Sequence, residues 1–117
     1  MAPTLLIVDD HDQFRAMARL MLAAEGFDVV GEAADGESAI NAVRELQPDV
    51  VLLDVVLPDI DGFTVCTRLA NESRSAVVVL TSSRDVSAYR RRLRESAARG
   101  FIPKSELSGE RLAGLVG

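Results

Sequence analysis

Three aliphatic runs recur along this chain, Leu5-Leu6-Ile7-Val8, Val50-Val51-Leu52-Leu53 and Val77-Val78-Val79-Leu80, and they limit its fold more than any other feature. None alternates apolar with polar. A strand wetted on one face must alternate, so unbroken runs of this length read as strands buried on both faces, the signature of a parallel sheet. Gly100-Phe101-Ile102-Pro103 is a shorter run of the same kind, with Pro103 suited to an edge because it lacks an N–H. Residues 28–33 hold a weaker strand around Val29-Val30.

The segments between these runs read as helices. Phe14, Met17, Ala18, Met21 and Leu22 follow helical spacing, with Gly26 placed to end that helix. Asp35 offers an N-cap for a helix that runs to about Leu46 and stops at Gln47-Pro48. Asp61-Gly62 opens a third helix with Phe63, Val65, Cys66 and Leu69 as its apolar members. Residues 85–99 predict a fourth, and Ser108 caps a short last one through Val116. Five β-α units joined by right-handed crossovers make an α/β doubly wound five-stranded parallel sheet, expected in the order 2-1-3-4-5, with helices on both faces.

At 117 residues the chain suits one domain, here 1–117, and no DNA-binding or other output domain is expected within it. The single cysteine, Cys66, excludes an internal disulfide and reads as a core residue of the third helix. The N-terminal apolar run meets Asp9 too soon for a signal peptide, and a membrane span needs about 20 apolar residues. A cytoplasmic setting follows as the expectation. Net charge is −5, which argues against direct nucleic-acid binding by charge. That charge is unevenly spread: residues 1–62 carry 13 acidic and 3 basic side chains, and residues 63–117 carry 5 acidic and 10 basic.

The chemistry sits at the strand ends. Ligands of such sheets bind beyond the carboxyl ends of the strands, where strand order reverses. The first strand runs into Asp9-Asp10 and the third into Asp54, so order 2-1-3 brings three carboxylates to one rim. Two carboxylates about 4 Å apart repel by roughly 4 kcal/mol at an effective dielectric of 20. A hard divalent cation with oxygen ligands offsets that repulsion, and hydrated Mg2+ suits a site of few carboxylates. The fourth strand adds Thr81-Ser82 to the rim, and the fifth adds Lys104, the only lysine beside 12 arginines. Acid cluster, cation, hydroxyl and ammonium are the parts of phosphoryl transfer.

The segments Val8-Asp9-Asp10-His11, Leu53-Asp54-Val55-Val56-Leu57-Pro58-Asp59-Ile60-Asp61-Gly62, Leu80-Thr81-Ser82 and Gly100-Phe101-Ile102-Pro103-Lys104 resemble, in that order, the receiver domain of two-component response regulators. "DDH" and "VVGEAADGESAI" further resemble receivers of LuxR-type regulators. The resemblance implies a flavodoxin-like fold and a phosphorelay switch. Asp54 would be the phosphoacceptor, charged from the phosphohistidine of a sensor histidine kinase. Mg2+ would be bound by Asp10 directly, by Asp9 largely through water, and by Asp54 and the backbone carbonyl of Val56. Thr81 would hydrogen-bond the phosphoryl group, Lys104 would pair with it, and Phe101 would be the aromatic switch that follows Thr81. His11 falls just outside the metal shell in this comparison, Asp12 is not a ligand, and Asp59 and Asp61 shape the loop and cap the third helix.

The implied partners are the kinase, a downstream output protein or domain, and a second copy across the helix 4–strand 5–helix 5 face. Such a receiver catalyses only its own phosphorylation and dephosphorylation, and a stand-alone receiver acting through a partner is the expectation. Several features depart from the family pattern: the stretch from Thr81 to Lys104 is one residue longer than usual, and Ser82 stands where alanine is frequent. Ser105 stands where a proline usually follows the lysine in a cis peptide, and the 89–94 stretch is unusually basic. Two other readings compete. A receiver-like interaction module would have lost the acids, the nucleophile or the lysine, and all are intact. A haloacid-dehalogenase-type phosphatase wants an aspartate two residues after the nucleophile, where Val56 stands.

Overall fold

A computed structural model describes residues 2–72 and 76–117. The elements alternate as the apolar runs predict: β1 (Thr4–Val8), α1 (Asp12–Ala24), β2 (Asp28–Ala33), α2 (Gly36–Leu46), β3 (Val50–Asp54), α3 (Gly62–Ala70), β4 (Val77–Ser82), α4 (Arg90–Glu95), β5 (Gly100–Pro103) and α5 (Gly109–Val116). All pairings are parallel and the strand order is β2-β1-β3-β4-β5. β5 is therefore an edge, as Pro103 requires.

The unbroken apolar runs are explained by two cores. Side chains alternate faces along a strand. Leu6, Val8, Val51, Leu53, Val78 and Leu80 point to one side and pack with Ile40, Val43, Val65, Cys66 and Leu69 of α2 and α3. Leu5, Ile7, Val50, Leu52 and Val79 point to the other, against Ala18 and Leu22 of α1 and Leu112 of α5. A polar residue in either register would be buried without a partner.

Helix boundaries follow their caps. Asp35, Asp61 and Ser108 accept the backbone N–H of Ser38, Thr64 and Arg111. Gln47, at φ 47°, and Gly26, at φ 106°, take the left-handed conformation just past α2 and α1. Among the described residues no peptide bond is cis, Lys104-Ser105 included. No helix of the described residues is long and apolar enough to cross a membrane.

The fourth helix corrects the sequence expectation of 85–99. Only Arg90–Glu95 is α-helical, preceded by a 3-10 turn at Val86–Ala88. Four arginines within Arg90–Glu95 set like charges three and four residues apart, which weakens a helix. Ser96 then ends it, its hydroxyl donating to the Leu93 carbonyl and accepting the Ala98 N–H. Arg99 N–H is already committed to Val78 O at the start of β5.

Candidate functional site

The register of the central strands places the reacting groups. Leu53 lies beside Val8 in the β1–β3 ladder, and Asp54 lies beside Thr81 in the β3–β4 ladder. All strands run the same way, so each apolar run delivers its polar terminus to one edge.

Asp9 is fully buried and Asp54 is 3% exposed, both unusual for aspartate. Lys104 reaches them from the far end of β5. Its ammonium donates to Asp54 Oδ2 at 3.0 Å and lies 2.6 Å from Asp9 Oδ2. The second contact is an ion pair without hydrogen-bond alignment, so Asp9 Oδ2 is a buried oxygen with no hydrogen-bond partner among the described residues. The other oxygens are held locally: the Val56 N–H donates to Asp54 Oδ1, and the His11 N–H to Asp9 Oδ1. Lys104 also sits 4.5 Å above the Phe14 ring.

Burial pushes the Asp54 carboxyl up to about 6, with the Asp9 carboxylate adding to the rise while Lys104 and the Val56 N–H pull it back. Burial works the same way on Asp9, but Lys104 and the His11 N–H outweigh it and hold that carboxyl below its ordinary value. Burial would lower Lys104, yet Asp9 and Asp54 hold the ammonium above its ordinary value. One ammonium thus balances two buried carboxylates, an arrangement that leaves room for further positive charge.

The structure brings together Asp9, Asp10, Asp54 and Lys104, and sets Thr81 beside them in the sheet. Asp10 is at the mouth, its side chain 37% exposed, touching His11. Ligand atoms of Asp9, Asp10, His11 and Asp54 all lie within 4.8 Å of one another. The Val56 side chain is exposed, with its N–H turned to Asp54. Thr81 is buried and its hydroxyl donates to Ile102 O. Phe101 is half-buried, its ring 6.0 Å from that of Tyr89. Gly62 closes the loop after β3: its N–H donates to Val55 O, and a Cβ there would lie 2.9 Å from Val55 Cα.

Three placements were not foreseen. Asp59 caps α2 rather than α3, accepting from the Gly36 and Glu37 N–H groups. Tyr89 is buried between Phe63 and Phe101, with its hydroxyl 3.4 Å from Ser82 Oγ. The spacing of Val86, Tyr89 and Leu93 was the available signal, masked by the surrounding arginines. Arg92 pairs with Asp61 at 2.6 Å and lies 4.3 Å above the Phe63 ring, tying α4 to the start of α3.

Comparison with known proteins agrees with this fold. The family described as response regulator receiver domain matches residues 5–115. The response regulator GacA of Pseudomonas aeruginosa is 37% identical over 101 residues, which are 86% of this chain and 47% of that protein. The DNA-binding response regulator MtrA of Mycolicibacterium smegmatis is 44% identical over 87 residues, 73% of this chain and 37% of that one. The chain thus spans about half the length, or less, of these curated relatives. A two-component response regulator of the LuxR family from Aurantimonas superposes with a TM-score of 0.83 at 29% identity, over 97% of this chain and 81% of that one. Matched over residues 5–115 and with its strands in the order β2-β1-β3-β4-β5, the chain belongs to the response regulator receiver domain family of two-component signalling.

Proposed function

We propose that this domain is a phosphorelay switch in which Asp54 accepts a phosphoryl group from the phosphohistidine of a partner histidine kinase. The observation that carries it is a buried aspartate held at a strand end by an ammonium at 3.0 Å, beside a second buried carboxylate. An Asp54 carboxylate oxygen attacks phosphorus; the O–P bond forms, the N–P bond breaks, and the electron pair stays on the imidazole nitrogen. Lys104, already bonded to Asp54 Oδ2, is placed to pair with the new phosphoryl oxygens, and the Val56 N–H steadies the other carboxylate oxygen.

The donor set fits Mg2+. The buried carboxylates of Asp9 and Asp54 share a single ammonium, at 2.6 and 3.0 Å, and the clustered atoms are chiefly carboxylate oxygens, the donors a hard cation takes. Asp9, Asp10, Asp54 and the Val56 carbonyl would hold it. When bound it supplies neutralising charge to the carboxylates and the transferring phosphoryl group. The remaining catalysis is alignment by the chain itself, confined to its own phosphorylation and dephosphorylation.

The added charge draws the Thr81 hydroxyl from Ile102 O toward the phosphoryl group, and Phe101 follows into the space that Thr81 vacates. The readout is the α4–β5–α5 surface, offered to a downstream output domain or protein, in a cytoplasmic setting. Incubation with phosphoramidate and Mg2+ should add one phosphoryl group by intact mass, and Asp54→Asn should abolish it. No adduct on the wild type would favour an interaction module instead, and turnover of a general phosphate ester would favour a phosphatase.

A further inference from the structure

His11 is the chain's sole histidine, and the reading above gives its imidazole no task. It occupies the N-cap of α1, where side chains ordinarily accept from the first helical amides, yet it makes no such bond. Its backbone N–H donates instead to Asp9 Oδ1, and this turn brings the ring back over the acid pair. Nδ1 lies 3.1 Å from Asp9 Oδ1 and 3.0 Å from Asp10 Oδ1. Ligand atoms bonded at about 2.1 Å on adjacent corners of an octahedron stand about 3.0 Å apart. The buried Asp9 carboxylate belongs to the same cluster, its Oδ2 lying 2.6 Å from the Lys104 ammonium.

We propose that His11 Nδ1 is a ligand of the cation held by Asp9, Asp10 and Asp54, and that it biases the site toward imidazole-binding transition ions over Mg2+. The proposal deepens the reading of these carboxylates as a cation site and depends on it. Carboxylate and water suit Mg2+, whereas an imidazole nitrogen suits the later divalent ions, whose affinity for nitrogen ligands rises from Mn2+ toward Cu2+. The ring presents its Nδ1 lone pair to the ion and keeps its proton on Nε2. The His11 side chain is 69% exposed, so truncating it removes a donor without opening the core.

The test uses tag-free, metal-stripped protein titrated with Co2+ and, separately, with Mg2+, followed by proton NMR and calorimetry. Because there is one histidine, any hyperfine-shifted imidazole resonance in the Co2+ form comes from His11. Such a resonance is expected, and H11A should weaken Co2+ by about tenfold or more, since even outer partners of metal ligands are worth about 10–100-fold. Mg2+ affinity should change much less. Co2+ binding without a shifted imidazole signal, and with H11A altering both ions equally, would reduce His11 to a hydrogen-bond donor and overturn the proposal while the carboxylate site stands. Failure of both ions to bind the wild type would overturn the cation site and the proposal with it.

Discussion

The Thr81 hydroxyl donates to the carbonyl oxygen of Ile102 across 2.6 Å, on a residue with no exposed surface. Thr81 is also the β4 neighbour of Asp54, so the group proposed to meet the phosphate is occupied elsewhere in this state. The proposed switch would exchange one buried hydrogen bond for another.

Thr81→Ala should therefore be phosphorylated at Asp54 yet show no accompanying shift of the Phe101 ring. It should also lose about 1–2 kcal/mol in urea unfolding, because the Ile102 carbonyl loses a donor without access to water. Thr81→Ser should restore both. A full Phe101 response in the alanine variant would remove Thr81 from the switch.

Asp54→Asn should stabilise the metal-free protein at neutral pH. The folded Asp54 keeps its proton up to about 6 against an ordinary 3.8, so between those values the native state binds more protons. Stability then falls as pH rises through that window, and the deficit is complete above it. The asparagine should gain about 1–3 kcal/mol at pH 7 and nothing below about pH 4. Mg2+ at a hundred times Kd should stabilise the wild type by about 2.7 kcal/mol and the variant less, narrowing the difference. Parallel pH profiles would contradict the buried-carboxylate account.

Lys104→Ala should still bind Mg2+, because the carboxylates remain, while phosphorylation no longer shifts Phe101. Chemical-shift mapping with and without phosphoramidate reads both. Phe101 shifts identical to the wild type would contradict the pairing role assigned to the ammonium that now spans Asp9 and Asp54.

Gly62→Ala should destabilise the fold by about 1–3 kcal/mol and slow phosphorylation, since a methyl group there meets the backbone of Asp54 and Val55 rather than a side chain that can turn aside. Gly114→Ala, which meets nothing within 4 Å, is the control and should leave phosphorylation unchanged.

Asp61→Ala should cost about 1 kcal/mol through loss of the α3 cap, and the Asp61–Arg92 coupling in a double-mutant cycle should be no more than about 1 kcal/mol, because both side chains are partly wet. Arg92 and the Thr64 amide outweigh burial and hold the Asp61 carboxyl below its ordinary value. That contribution is present above the ordinary carboxylate range and is lost as pH falls through the lowered value. A cycle measured at acid pH should show the coupling vanish.

Much of this was legible in the chain. The aliphatic runs specify strands buried twice over, and the capping residues Asp35, Asp61 and Ser108 each start the helix that follows them. The acids at the strand ends were readable because a parallel sheet sends every such end to one edge. The role of Asp59 is not legible in the sequence because its partners, the Gly36 and Glu37 amides, lie 23 and 22 residues away. Apolar spacing overextends the fourth helix because it continues where arginine repulsion and the Ser96 hydroxyl have already ended the helix.

What the sequence by itself determined is the order of elements, the two-sided core and the identity of the groups on the rim, all consequences of periodicity and of strands running in one direction. Tertiary structure alone decided how those groups divide the charge. Asp9 is sealed and Asp10 is not, Lys104 finds Asp54 across 50 residues, and Thr81 bonds Ile102. Local propensity acts over a turn or two of chain. The partner of a buried charge is set by which side chains the packed sheet leaves within reach.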